Sequence, residues 1–287
     1  MKLQLGKPDV ITDPLDDFLS ALTVAGASEN TVKLYRTAVS DFLSFVKKDP
    51  RQVNVSDLNR WVADILKREG RTAKPLPEFE KRRVKSMTAR LYITAVLRFL
   101  RWLGVDARPS MPRVRRGEIR ALSEEEVGEL LSATKGKYKL IIHLLLDTGL
   151  RAKELLSIRK SDIDIQKRMI RVRNTKNGEE RTVFFTEETA KMLEKHLREL
   201  REEDRVFNVT YFALYRKLKR LGKKLNIDLR PHVLRHTFAT RAIRKGMPLP
   251  VVQRLLGHKD IRTTQIYTHL VTEDLKRVYD STFSRVG

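Results

Sequence analysis

The sequence predicts a mainly α-helical protein of two domains, with one small antiparallel β-sheet or hairpin in the second domain. Apolar residues recur at helical spacing along most of the 287 residues. Two short alternating segments flank Asn177-Gly178, a dipeptide favoured in two-residue hairpin turns. A stretch rich in Pro and Arg, residues 106–120, is typical of a linker. We therefore expect a helical domain over 1–105 and a second domain over 121–287.

The first domain is predicted to be helical throughout. Asp13-Pro14 supplies an N-cap and a proline at the first helical position, and Ser28 caps a second helix. A third helix is expected after Ser56, and a fourth from about Ser86 to the glycine at 104. No strand pattern occurs in this part of the sequence.

The second domain is predicted to be helical around a single hairpin. Ser123 to Glu126 has the spacing of a capping box, and a buried helix follows from Tyr138 to the stop at Gly149. The remaining elements are predicted in chain order: a helical restart at 151–158, strands at 169–173 and 181–185, and helices at about 187–203, 209–225, 231–246, just before Gly257, and from Thr272 to the end.

The charge of the chain favours a polyanionic partner. There are 59 Lys and Arg against 36 Asp and Glu, a net charge of +23. Residues 1–110 carry 20 basic and 13 acidic side chains (net +7), and residues 111–287 carry 39 and 23 (net +16). Because both parts are basic, phosphate contacts from two bodies are expected.

Several protein classes are excluded by composition. The chain has no cysteine, which removes disulfides, thiolate zinc sites and cysteine nucleophiles. Mean hydropathy is −0.42, and no apolar run reaches membrane length, so no membrane span is predicted. Pro8 and Asp9 interrupt the N-terminus before a signal-peptide core could form, and we expect a cytoplasmic protein without a membrane partner.

Unusual polar residues occur in four separated segments, and each has a plain structural explanation when taken alone. Arg151 could pair with Glu154 one turn further along a helix. Lys176 could be a solvated turn residue. His232 and His236 share a helix face, but Val233 stands where the general base of a zinc peptidase would have to be, so no metal site is predicted.

Taken together, these residues resemble the signature of the tyrosine recombinase (integrase) family. The strings HVLRHTFAT and LLGHKDIRTTQIYTHL are similar to those of Xer-type members, which resolve chromosome dimers. The resemblance spans the whole chain, with a helical core-binding domain first and a catalytic domain second. The usual glycine before the hairpin lysine is missing, and the lysine is identified by counting back five residues from Arg181. The matching positions are Arg151, Lys176, His232, Arg235, His258 and Tyr267.

The resemblance implies that Tyr267 attacks a DNA phosphodiester and forms a 3′-phosphotyrosyl link. A phenol with a pKa near ~10 must lose its proton during attack, and His232 is the implied base. Arg151 and Arg235 are the implied phosphate clamp, since guanidinium stays charged and grips two oxygens at once.

Two further roles follow from the same resemblance. Lys176 is the implied general acid for the leaving 5′-oxygen, and His258 adds a hydrogen bond. The reaction would need no metal, nucleotide or other cofactor. Consistent with this, the sequence contains neither a Walker A loop nor a carboxylate cluster suited to two metals.

The implied partner is double-stranded DNA at a short specific site, bound by a homo-oligomer, a tetramer on two duplexes. The segment 272–287 could pack within its own domain, but the resemblance implies that it docks on a neighbouring protomer. The protein would be nucleoid-associated. A type IB topoisomerase uses closely related chemistry and is the nearest alternative. A helical DNA-binding regulator without catalysis is the other.

Overall fold

A computed structural model describes residues 3–7, 10–68, 78–114, 120–173 and 180–257 of the chain. The chain divides into two compact units, residues 1–117 and 118–287. The described part is mostly helical, with one three-stranded antiparallel sheet in the second unit. The fold class predicted from the sequence is confirmed.

Four α-helices form the first unit. Asp13 Oδ1 accepts hydrogen bonds from the backbone N–H groups of residues 15 and 16, and Ser28 Oγ accepts one from Thr31, so both predicted caps are present. The third helix starts two residues earlier than predicted, at Val55, behind an Asn54 capping box. The helices are α1 (Pro14–Val24), α2 (Glu29–Val46), α3 (Val55–Lys67) and α4 (Glu78–Leu103).

An aromatic core holds these four helices together. Phe18 packs against Phe99 with the ring centroids 5.3 Å apart, and Phe42 meets Trp61 edge to face at 5.0 Å. Trp61 Nε1 donates to Asp41 Oδ2 at 2.8 Å, which satisfies its buried N–H. Aromatic rings therefore fill this core, and the buried N–H of Trp61 has a hydrogen-bond partner.

The second unit surrounds its sheet with seven helices in the described residues. Ser123 and Glu126 form the predicted capping box at the start of the first of them. The helices are α5 (Glu124–Ser132), α6 (Gly136–Thr148), α7 (Ala152–Leu155), α8 (Glu187–Leu197), α9 (Tyr211–Leu225), α10 (Pro231–Arg244) and α11 (Leu249–Leu256). The central helix α6 packs on α10 and α8 and is buried from Leu140 to Leu146.

The sheet follows the chain order β1 (Ile163–Asp164), β2 (Met169–Val172), β3 (Arg181–Phe184). The predicted hairpin is confirmed as the antiparallel pair of β2 and β3, in which Ile170 faces Val183 and Val172 faces Arg181. Both pairs lie on the face that is turned towards the core. The predicted Asn177-Gly178 turn and the helix from Thr272 lie outside the described residues.

No helix in the described ranges is both long and apolar enough to cross a lipid bilayer.

Candidate active site

Arg151 lies at the junction of α6 and α7. The chain leaves α6 through Gly149, whose φ is +62°, and turns into α7 at Ala152. The backbone N–H of Arg151 donates to Glu154 Oε2, and its Nη1 donates to Glu154 Oε1, both at 2.8 Å. The helix-surface pair considered from the sequence is therefore present. The Arg151 side chain remains 34% exposed, which leaves it accessible to a ligand.

A second arginine reaches the same carboxylate from the sheet. Arg181, the first residue of β3, donates from Nη2 to Glu154 Oε2 at 2.7 Å and from Nη1 to Oε1 at 3.2 Å. The Glu154 side chain is only 5% exposed. Burial alone would raise the pKa of Glu154, but hydrogen bonds from Arg181 and Arg151 outweigh it and hold that pKa below its ordinary value. Glu154 is thus a buried anion shared by two cations.

Arg235 ties three segments of the unit together. It lies on α10, is 6% exposed, and donates from Nη1 to the Gly149 carbonyl and from Nη2 to the Leu256 carbonyl, both at 2.7 Å. Those carbonyls end α6 and α11. The guanidinium therefore sits where the chain enters the Arg151 turn and where α11 stops, just before position 258.

His232 lies one turn before Arg235 on α10, among positive charges. The residue is exposed to solvent, although neighbouring groups cover part of its imidazole. Burial, followed by the charges of Arg235, Arg151 and Arg230, lowers the pKa of His232 below its ordinary value. A lowered pKa favours the neutral imidazole at pH 7, which is the form that can accept a proton.

His236 lies one turn further along α10 and is half-buried. Burial is the largest cause that lowers the pKa of His236, with His232 and Arg235 adding to it. The described residues contain no group of three or more His, Asp or Glu side chains that could hold a metal ion.

The structure thus brings Arg151, His232 and Arg235 to one region of the second unit. Lys176, His258 and Tyr267 lie outside the described residues, and their places in the site stay predictions. Two described segments lie next to these residues in the sequence. The strand β3 begins five residues after Lys176, and α11 with Gly257 ends directly before His258.

Arg181 is the residue of this region to which the sequence analysis assigned no role. It had served only to locate the hairpin lysine. A signal was available, however, because residues 181, 183 and 185 of a strand share one face. Val183 and Phe185 are buried, so an arginine in register with them had to face inward and needed an anion.

Known proteins resemble the chain in both units. The model of the phage integrase family matches residues 120–274, and that of the phage integrase N-terminal SAM-like domain matches residues 15–76. The tyrosine recombinase XerA of Saccharolobus solfataricus is 57% identical over 280 residues, which cover 97% of this chain and 96% of the relative. XerA of Thermococcus kodakarensis is 31% identical, with 93% and 94% covered.

A solved structure extends the likeness to the fold. The crystal structure of XerH site-specific recombinase bound to palindromic difH substrate, a post-cleavage complex, gives a TM-score of 0.69 at 18% identity. The match covers 93% of this chain and 84% of that one. On the family match and the full-length relatives, the chain belongs to the phage integrase family of tyrosine recombinases.

Proposed function

We propose that the chain is a site-specific DNA recombinase that cuts and rejoins duplex DNA, and that its role is Xer-type resolution of chromosome dimers. The observation that carries this proposal is the grouping of His232 with Arg151 and Arg235, where Arg235 binds the Gly149 and Leu256 carbonyls and both arginines act on the imidazole. The XerA relatives, similar along nearly the whole chain, support the same reading. We assign residues 1–105 to the core-binding domain, 106–120 to a basic linker and 121–287 to the catalytic domain.

The proposed reaction is a transesterification at one DNA phosphorus. The phenolic oxygen of Tyr267 attacks, and its proton passes to His232. As the new P–O bond forms, the bond to the 5′-oxygen breaks, and Lys176 gives that oxygen a proton. The products are a 3′-phosphotyrosyl link and a free 5′-hydroxyl. A 5′-hydroxyl from a second DNA end reverses these steps, so the ester is remade without ATP.

Fixed positive charges take the place of a metal in this scheme. The phosphorus gains negative charge as it becomes five-coordinate, and cations already in position stabilise that charge without reorganising. Arg151 and Arg235 are assigned to the phosphate oxygens, and His258 to a further hydrogen bond. The Arg151 side chain is accessible, as this role requires.

The helix α9 supports a DNA partner independently of the catalytic residues. Its sequence, YFALYRKLKRLGKKL, has six basic and no acidic side chains. The apolar side packs inward through Leu214, Leu218 and Leu221, which leaves the basic side outward. Lys153 Nζ lies 6.0 Å from the ring centroid of Tyr211, which stacks with Tyr215 at 6.4 Å. Such a basic and aromatic surface suits a phosphate backbone.

The proposed assembly is a tetramer of identical chains on two duplexes, associated with the nucleoid. The C-terminal segment 272–287 is assigned to protomer contact. Its apolar stripe consists of Leu275, Val278, Tyr279, Phe283 and Val286. Head-to-tail contacts between protomers close into a ring when the rotation allows.

The decisive experiment traps the covalent intermediate. A binding site is first selected from random-sequence duplexes by affinity for the chain, and a nicked duplex carrying it is incubated with protein and run on a denaturing gel. We expect an adduct on the selected site only. Adducts on every duplex would indicate a topoisomerase, and none would indicate a regulator.

The nucleophile is tested in the same assay. Tyr267→Phe lacks the attacking hydroxyl, so it should bind the selected duplex as tightly as the parent chain and form no adduct. An adduct formed by Tyr267→Phe would show that another residue is the nucleophile.

A further inference from the structure

We propose that Arg181 is a positioning residue for DNA cleavage, which keeps the charge of Arg151 available to the phosphate by sharing Glu154 with it. This inference rests on the proposed function. It assigns to a strand residue a role that is exerted through Arg151 and the end of α11.

The contacts of Arg181 join three elements. The residue begins β3, its side chain is 9% exposed, and all three of its guanidinium nitrogens donate: Nε to the Leu255 carbonyl at 2.9 Å, Nη1 and Nη2 to Glu154 on α7. A buried arginine is tolerated only when its donors and its charge are matched. Here each of the three nitrogens has an acceptor and Glu154 supplies a negative charge, so the position of the guanidinium is closely defined.

The charge balance explains why a second arginine is needed. Glu154 carries one negative charge, and Arg151 and Arg181 carry two positive charges, so the cluster is left with one net positive charge. If Arg181 were neutral, the buried carboxylate would be balanced by Arg151 alone. Because Coulomb attraction is strong at low effective dielectric constant, Arg151 would then be held by Glu154 and its field at the phosphate would be largely cancelled.

The same guanidinium defines how the chain leaves α11. Gly257 follows this helix with φ +66°, and a Cβ added there would lie 3.1 Å from Arg181 Cζ. The Leu255 carbonyl is bound by Arg181, and the next carbonyl, that of Leu256, by Arg235. The hairpin strand, Arg151 and the residue that precedes position 258 are thereby fixed to one another.

The test separates DNA binding from cleavage in single-turnover adduct formation on the selected nicked duplex. Arg181→Gln should bind that duplex with a Kd within about threefold of the parent and cleave about 10- to 100-fold more slowly, as expected for misplaced catalytic groups. Arg181→Lys keeps the charge but not the three contacts, so its cleavage rate should lie between those of the parent and Arg181→Gln. The control Arg171→Gln removes the same charge from the exposed face of β2, opposite Thr182, and should cleave at the parental rate.

A double variant distinguishes positioning from simple damage to the fold. Arg181→Gln combined with Glu154→Gln has no carboxylate to neutralise Arg151, so it should cleave faster than Arg181→Gln alone. A double variant that is no faster, or an Arg181→Gln chain that cleaves at the parental rate, would overturn the proposal.

A measurement without DNA distinguishes failure of this inference from failure of the proposed function. The NMR resonances of the Arg151 guanidinium should shift in Arg181→Gln and Arg181→Lys and stay in place in Arg171→Gln. Unmoved Arg151 resonances would overturn the role of Arg181. Failure of the parent chain to form any adduct would instead count against the recombinase assignment.

Discussion

The proton acceptor of the proposed site is defined by its neighbours. Neutral imidazole accepts a proton, whereas imidazolium cannot, so a base that works near neutral pH must keep its pKa low. Burial and three arginines do this for His232. Two of these, Arg151 and Arg235, are also the proposed phosphate ligands, so the charges that would stabilise the transition state also prepare the base.

Arg230, the third of these arginines, allows the effect of positive charge on the pKa of His232 to be tested without changing a proposed catalytic residue. Arg230→Gln removes one positive charge near His232, so the pKa of His232 should rise towards its ordinary value. The cleavage rate falls as pH drops through this pKa, because the base becomes protonated. The acidic limb of the pH–rate profile of Arg230→Gln should therefore lie at higher pH than that of the parent.

The matched control for this change is Arg244→Gln. Position 244 is at the far end of α10, about 18 Å along the helix from His232 at 1.5 Å per residue. Its charge is screened at that distance, so its profile should coincide with the parental one. An acidic limb that moves equally in both variants, or in neither, would contradict the assignment of His232 as base.

At single residues, the sequence indicated one contact of the proposed site but not the others. The Arg151–Glu154 pair was foreseen from its spacing of three residues, and it is formed. The anchoring of Arg235 by the Gly149 and Leu256 carbonyls was not foreseeable, because backbone acceptors carry no sequence signal. Arg181 was missed because its partner Glu154 is 27 residues away.

At the scale of secondary-structure elements, the glycine that ends α6 determines the position of Arg151. Gly149 has φ +62°, and an added Cβ would lie 2.3 Å from Phe238 Cδ1 and 2.8 Å from Leu256 Cδ2. The turn therefore needs glycine both for its backbone conformation and for the close approach of α10 and α11.

Replacing this glycine should be costly for two separable reasons. In Gly149→Ala, the left-handed conformation costs about 1–2 kcal/mol, and overpacking against Phe238 adds roughly 1–3 kcal/mol. Gly136→Ala is the matched control, since φ there is +60° and nothing lies within 4 Å of an added Cβ. The free energy of unfolding, measured in urea, should thus fall more in Gly149→Ala than in Gly136→Ala. Equal losses of this free energy in the two variants would show that crowding against Phe238 is not a cause.

The sequence predicted most helices and strands, and each boundary or strand that it missed has a physical reason. The helix α4 begins at Glu78, not near Ser86, because the charged residues 80–83 favour helix without an apolar pattern to reveal it. The strand β1 has two residues, too few to show alternation. The helix α8 ends at Leu197 rather than 203, in a charged segment that lacks the glycine or proline by which helix ends are recognised.

At the scale of the whole molecule, a net charge of +23 is spread over two compact units. No tail of detachable basic residues accounts for it, since both parts of the sequence are basic. This distribution fits a protein that contacts a duplex with both units, and it predicts that affinity for DNA falls steeply with salt.

Assembly of several protomers on DNA is a property of the whole molecule that can be tested by truncation. Removing the residues after His269 deletes the segment proposed to dock on a neighbouring protomer. The truncated chain should still fold and bind a single site, but sedimentation on DNA should show weaker cooperative assembly than the parent. Assembly that is unchanged by the truncation would exclude this segment as the docking element.

The carbonyl anchors of Arg235 have an evolutionary consequence. Every amino acid carries a main-chain oxygen, so the acceptor at position 256 survives replacement of Leu256 by another residue that fills the same space. Side chains around these anchors can therefore drift over long lineages while the guanidinium keeps its location. Distant descendants would share the arginine and the path of the backbone, with little else in common nearby.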